Sequence, residues 1–310
     1  MFRVIFFGTS DFAIPSLNAL LNDARFTVLG VVTQPDKPVG RHAVLTAPPI
    51  KEFLTSTQTG DSSLRWNKVE LHQPEKLSDE NFQDWIKKIG PTCDAFVVVA
   101  YGKIIPQTLI DMPRKGIVNV HGSLLPRWRG AAPIQAAIAA GDEQTGVTIM
   151  LIDAKLDHGP ILGLAEESIL ETDIGQTLHD RLAQRGGDIL PDILAGYLEG
   201  RIQPREQDHD LATHCRTLSR EDGKLDFSKT SQVLERQIRA YNPWPGSWMM
   251  HEGKRLKIHQ VKLGPETTHK PGTIFLQHQH IYLACTNGTS LELIQIQKEG
   301  KTVQAANTLF

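Results

Sequence analysis

The 310-residue chain carries 40% hydrophobic and 22% charged residues, enough apolar mass for sizeable cores and too ordinary a charge content for wholesale disorder. With domains typically about 100–200 residues long, two domains are expected. A net charge of −2, from 33 Lys+Arg against 35 Asp+Glu, excludes a uniformly basic nucleic-acid coat and a polybasic membrane anchor. No run approaches the ~18 consecutive apolar residues of a membrane span. The opening segment Met-Phe-Arg-Val-Ile-Phe-Phe-Gly is too short and Gly-interrupted for a secretory signal and reads as a strand. Cys93, Cys215 and Cys285 lie far apart with no Cys-x-x-Cys pair, which fits three small hydrophobes in a reducing cytoplasm.

In chain order, residues 3–7 form an apolar run closing on Gly8, followed by a helical stretch over 14–21. Further strands are expected at 26–32, 68–72, 95–100 and 116–120. The Ala-Phe-Val-Val-Val-Ala run at 95–100 has no alternation, the pattern of a strand covered on both faces in a parallel sheet. A helix at 133–140 continues a βαβ rhythm, and the whole predicts a doubly wound α/β domain with a mostly parallel sheet and right-handed crossovers. Strands at 147–151 and 161–168 bracket an irregular 153–159 segment. A long helix follows over 174–198, with Thr172 and Asp173 as cap candidates. The polar, Pro204-containing stretch 201–210 reads as a linker, placing one domain at 1–200 and a second at 211–310. That second domain opens on a helix at 230–240 and a Pro-rich turn at 242–246. Short β segments follow at 256–263, 272–276, 280–285 and 290–297, with Asn287-Gly288 as a turn, the spacing of a small β-barrel.

Charge is unevenly shared: residues 207–310 carry a net +3 and the rest −5. A local positive excess points weakly to a polyanionic partner.

Gly8-Thr9-Ser10 is not followed by the glycines of a dinucleotide fingerprint, and no acidic residue ends the second strand, so a dinucleotide site is disfavoured. Asn119 and His121 stand two apart on the strand at 116–120 and its end, so both side chains leave one face. Open α/β sheets bind ligands at such carboxyl ends. The loop Asp153-Ala-Lys-Leu-Asp157-His158-Gly159-Pro160 adds two carboxylates and a His. A metal set drawn from Asp153, Asp157, His158 and His121 is the competing idea, and no H-x-E or HExxH spacing supports it. The segment from Gln34 to Pro49, with Gly40 and Arg41, is too long for an ordinary βα connection and suits a loop around a charged ligand.

These residues carry a resemblance. Asn119-x-His121, Ser123-Leu124-Leu125-Pro126 and Leu156-Asp157-x-Gly159-Pro160 resemble the folate-dependent formyltransferase superfamily, and the eighteen residues 118–135 are nearly a signature of it. Segments at 7–12, 33–38, 98–102, 145–150 and 242–245 fit as well, so the resemblance spans the chain. It implies a Rossmann-like catalytic domain followed by an OB-like barrel contributing to tRNA binding. It also implies 10-formyltetrahydrofolate as co-substrate, the α-amino group of methionine on initiator methionyl-tRNA as acceptor, no metal, no membrane and a cytoplasmic monomer. By position it assigns Asn119, His121 and Asp157 to catalysis, Ser123, Leu124, Leu125 and Pro126 to the folate pocket, and Arg41 to tRNA. His158 departs from the small residue usual beside the aspartate, and the 40–43 loop is less basic than in relatives. The alternatives are a hydrolase of 10-formyltetrahydrofolate, a formyltransferase for a small amine, and a non-catalytic nucleic-acid binder. Arg236, Arg239, Lys254, Arg255 and Lys257 are secondary candidates for phosphate contacts.

Overall fold

The computed structural model describes residues 1–40, 43–58 and 69–309. In chain order the first strands and helices are β1 (Phe2–Gly8), α1 (Ile14–Asn22), β2 (Phe26–Val32), β3 (Lys37–Val39), β4 (Val44–Thr46), α2 (Pro49–Gln58) and β5 (Glu70–His72). Then come α3 (Glu80–Ile89), β6 (Ala95–Val99), α4 (Gln107–Ile110), β7 (Ile117–His121), β8 (Arg129–Gly130), α5 (Pro133–Ala140), β9 (Gln144–Leu151), β10 (Ile161–Ser168) and α6 (Gly175–Leu198). The remainder holds β11 (His214–Cys215), α7 (Ser231–Ala240), β12 (Ser247–His251), β13 (Lys254–Leu263), β14 (Ile274–Gln277), β15 (His280–Ala284), β16 (Ser290–Lys298) and β17 (Gln304–Ala305).

Two compact units result. The first comprises Met1–Arg129, Gly146–Glu167 and His179–His214; the second comprises Gly130–Thr145, Ser168–Leu178 and Cys215–Phe310. In the first, seven strands are ordered β10-β9-β7-β6-β1-β2-β5. The pairs β5/β2, β2/β1, β1/β6 and β6/β7 are parallel, and β9 joins β7 antiparallel. All five residues of β6 are buried, as its unbroken apolar run predicts. The strand order reverses between β1 and β6, the switch point at which such sheets open a crevice. There the Thr9 hydroxyl and the Gln34 amide each donate to the Tyr101 carbonyl at 2.8 Å.

Several elements escape the sequence reading. Helix α3 buries Phe82 and Ile86 and half-buries Trp85 and Ile89 against the same core, an i, i+3, i+4, i+7 face. The long 34–49 segment contains the short β3/β4 hairpin. The strand expected at 68–72 is seen as β5, its first residue Lys68 lying outside the described residues.

In the second unit, β12-β13-β16-β15-β14 form an antiparallel sheet with β17 added to β16. Leu234 and Ile238 of α7 enter the same core as Leu256, Ile258, Leu283 and Ile296. Asn287 and Gly288, at φ +55° and +69°, take the left-handed turn expected before β16. Cys93 and Cys285 are buried and burial pushes each thiol up to about 11, so both act as neutral hydrophobes at physiological pH. No helix among the described residues is long and apolar enough to cross a membrane.

His259 on β13 is half-buried, and burial pushes its pKa below the ordinary value. The unfolded chain then takes up a proton near pH 6.5 that the folded chain refuses, so stability falls as pH drops through that value. Denaturant unfolding at pH 7.5 and 5.5 is expected to show a loss on acidification that is smaller in His259→Gln. An equal loss in the variant refutes the assignment.

Candidate active site

Strand β7 supplies the first two side chains. Asn119 sits at its centre between Val98 of β6 and Met150 of β9, and is half-buried. His121 closes the strand on the same face and is 6% exposed. Its Nε2 lies 3.0 Å from the Trp128 carbonyl oxygen. A carbonyl only accepts, so Nε2 carries the proton of that bond and Nδ1 is the nitrogen left for chemistry. Nδ1 faces Oδ1 of Asp157 at 3.7 Å, the Asp157 side chain being 13% exposed. That gap is longer than a hydrogen bond, and a shift of under one ångström closes it.

Asp157 belongs to the turn between β9 and β10 and holds a left-handed backbone, φ +47°. Aspartate adopts that region more readily than most residues. Gly159 follows for a steric reason. A Cβ there would stand 2.0 Å from the Leu151 carbonyl oxygen, so only a bare backbone fits against the end of β9.

The 123–126 turn folds back on β9. Ser123 Oγ donates to the Arg127 carbonyl at 2.6 Å, while Thr148 Oγ1 donates to the Ser123 carbonyl and accepts from Leu125 N–H. Leu125 is buried against Met150 and Ile161, whereas Leu124 and Pro126 are half-exposed. The sequence thus brings His121 and Asp157 face to face, with Asn119 on the same strand face and the turn beginning two residues beyond His121.

Other candidates have different surroundings. His158 Nδ1 pairs with Asp153 Oδ2 at 2.6 Å, apart from the His121–Asp157 pair. Among the described residues no group of three or more His, Cys, Asp or Glu could hold a metal. Arg41 lies outside the described residues. Arg239 donates to the Asp173 carbonyl and pairs with Glu235, Arg236 reaches the Ala140 carbonyl, and Arg255 stacks on Trp248 at 3.8 Å. Those three arginines are occupied within the second unit. Lys254 is exposed and Lys257 half-exposed.

Sequence reasoning missed Gln207. The 201–210 stretch, expected as a linker because it is polar, pairs with β10 through Arg205 and Ile161. Gln207 is 5% exposed and its amide donates to the carbonyls of Asp157 at 3.0 Å and Gly159 at 2.7 Å. No motif announces a lone glutamine; only the partners in space reveal it.

The formyl transferase family matches residues 2–194, and the formyl transferase C-terminal domain matches residues 217–310. A methionyl-tRNA formyltransferase of Myxococcus xanthus is 41% identical over 307 residues, covering 98% of this chain and 93% of the relative. One from Marinobacter nauticus is 39% identical over 310 residues, covering 99% and 95%. Among solved structures, WlaRD, a sugar 3N-formyl transferase crystallised with dTDP and 5-N-formyl-THF, shares the fold. It has a TM-score of 0.67 and 17% identity, covering 97% of this chain and 99% of that one.

Proposed function

Because the chain belongs to the formyl transferase family, we propose that it moves the formyl group of 10-formyltetrahydrofolate to the α-amino group of methionine on initiator methionyl-tRNA. The observation that carries the reading is the buried His121 facing Asp157 at the end of β7, in a chain about 40% identical over nearly its full length to enzymes named for that reaction. In this reading residues 1–200 form the catalytic domain, 201–210 connect, and 211–310 form an OB-like barrel that contributes to tRNA binding with Arg41. The enzyme is a cytoplasmic monomer that works without a metal.

The chemistry follows from the residues. The amine nitrogen attacks the formyl carbon, a tetrahedral intermediate forms, and the bond to N10 breaks. The amine loses a proton and N10 gains one. The Asn119 amide donates to the oxyanion as charge develops there. With Nε2 tied to the Trp128 carbonyl, Nδ1 of His121 is the site of proton exchange, and Asp157 steadies the cation formed when Nδ1 is protonated. The 123–126 turn lines the folate pocket, Leu124 and Pro126 supplying its half-exposed apolar surface.

The test incubates the protein with 10-formyltetrahydrofolate and methionine-charged initiator tRNA, then with uncharged tRNA and with small amines. Formylated methionyl-tRNA, dependent on the charged acceptor, is expected. Formate release without acceptor, or formylation of small amines only, overturns the reading. Asn119→Ala is expected to lower kcat by about 10²–10³ through loss of the oxyanion donor; an unchanged kcat removes Asn119 from that role.

A further inference from the structure

A hydrogen-bonded cluster built on two buried side chains, Gln207 and Arg129, backs the His121–Asp157 pair. Gln207 uses every hydrogen-bonding position of its amide. Nε2 donates to the carbonyls of Asp157 and Gly159, and Oε1 accepts from Arg129 Nε at 3.1 Å and Nη2 at 2.6 Å. Arg129 is itself 4% exposed. Its Nη2 also donates to His209 Nδ1 at 2.8 Å, and the His209 ring lies flat on His158, centroids 3.9 Å apart at 11°.

The same short segment grips the other partner. Trp128, directly before Arg129, offers its carbonyl to His121 Nε2. Its own N–H donates to Thr213 Oγ1 at 2.9 Å, and Arg129 N–H donates to the Thr213 carbonyl at 2.9 Å. Trp128 and Asp157 both hold left-handed backbones, φ +62° and +47°, which bulky and ordinary side chains keep only when their surroundings fix them.

We infer that Gln207, braced by Arg129, is a positioning residue that sets the His121–Asp157 separation, acting on Asp157 through its carbonyl while the adjacent Trp128 carbonyl acts on His121. This rests on the assignment of His121 and Asp157 as the reacting pair. A glutamine is suited to the task because one planar group presents two donors to the turn and two acceptor positions to the guanidinium fork. A glutamate would keep the fork on one oxygen and turn its other oxygen, which donates nothing, toward the two carbonyls. A leucine would fill the space and bind neither side.

The test records ¹⁵N-histidine spectra of the full-length chain, with the His121 ring signals assigned by their loss in His121→Asn. In Gln207→Leu the His121 Nδ1 signal is expected to move, kcat to fall about 10- to 100-fold and both KM values to stay within about twofold. Gln207→Glu is expected to behave likewise and serves if the leucine variant does not fold; Gln207→Asn, which keeps the amide on a shorter arm, is expected to recover part of kcat. Wild-type His121 signals in a folded Gln207→Leu or Gln207→Glu overturn the inference. If the wild-type protein transfers no formyl group, the functional reading fails, and the His121 signals still judge the clamp.

Discussion

His121→Asn is expected to reduce formyl transfer by about 10²–10⁴-fold, the range that a positioned general acid–base contributes. Asparagine puts its amide nitrogen where Nδ1 stood, facing Asp157, but it cannot exchange a proton at neutral pH and it has no atom in place of Nε2 for the Trp128 carbonyl. The replacement is smaller and polar at a site 6% exposed, so a modest loss of stability accompanies it. The informative measurement is kcat on methionyl-tRNA together with the thermal unfolding midpoint and the KM for 10-formyltetrahydrofolate. A folded variant retaining more than a tenth of wild-type kcat removes His121 from the proton path. Asp157→Asn is expected to act in the same direction by a smaller factor, since Asp157 touches the reaction through Nδ1.

Gly159→Ala is expected to be damaging twice over. A methyl group cannot occupy a point 2.0 Å from the Leu151 carbonyl oxygen, and the obstacle is backbone, so the turn itself must move. Forcing extra atoms into a filled site typically costs about 1–3 kcal/mol of stability. The displaced segment contains both carbonyls that Gln207 grips, and Asp157 lies two residues before the glycine. A displacement of about 1 Å at a reacting group is worth about 10²-fold in rate. Urea unfolding and kcat measured on the same preparation separate the two effects. A variant with wild-type stability and kcat would show that the turn does not hold Asp157 as described.

Much of the first unit was legible in the chain. Continuous apolar runs at β1 and β6 identified buried strands because a strand covered on both faces has no use for alternation. The 119/121 spacing placed two polar side chains on one face of β7 because a strand's period is two. The Asn287-Gly288 turn was readable because few residues accept positive φ. Helix α3 was legible and was passed over: Phe82, Trp85, Ile86 and Ile89 stand at i, i+3, i+4 and i+7, the spacing of an amphipathic helix. The 201–210 stretch was read as a linker from its polarity; most of it is exposed, and Gln207 is the one buried residue in it, a distinction that composition does not carry.

By itself the sequence determined the residue chemistry: an amide, an imidazole and a carboxylate in two short motifs, a mostly parallel sheet to carry the first, and no metal-ligand spacing behind the competing set of Asp153, Asp157, His158 and His121. Tertiary structure decided which imidazole nitrogen is free, how far it stands from Asp157, and what holds the two in place. The reason is range. Strand period and turn preference act over a few residues and are written locally, whereas the His121–Asp157 distance joins residues 36 positions apart and its Gln207 brace lies 50 positions beyond Asp157. Such contacts exist only once the sheet has brought their backbones together, so no local pattern in the chain can encode them.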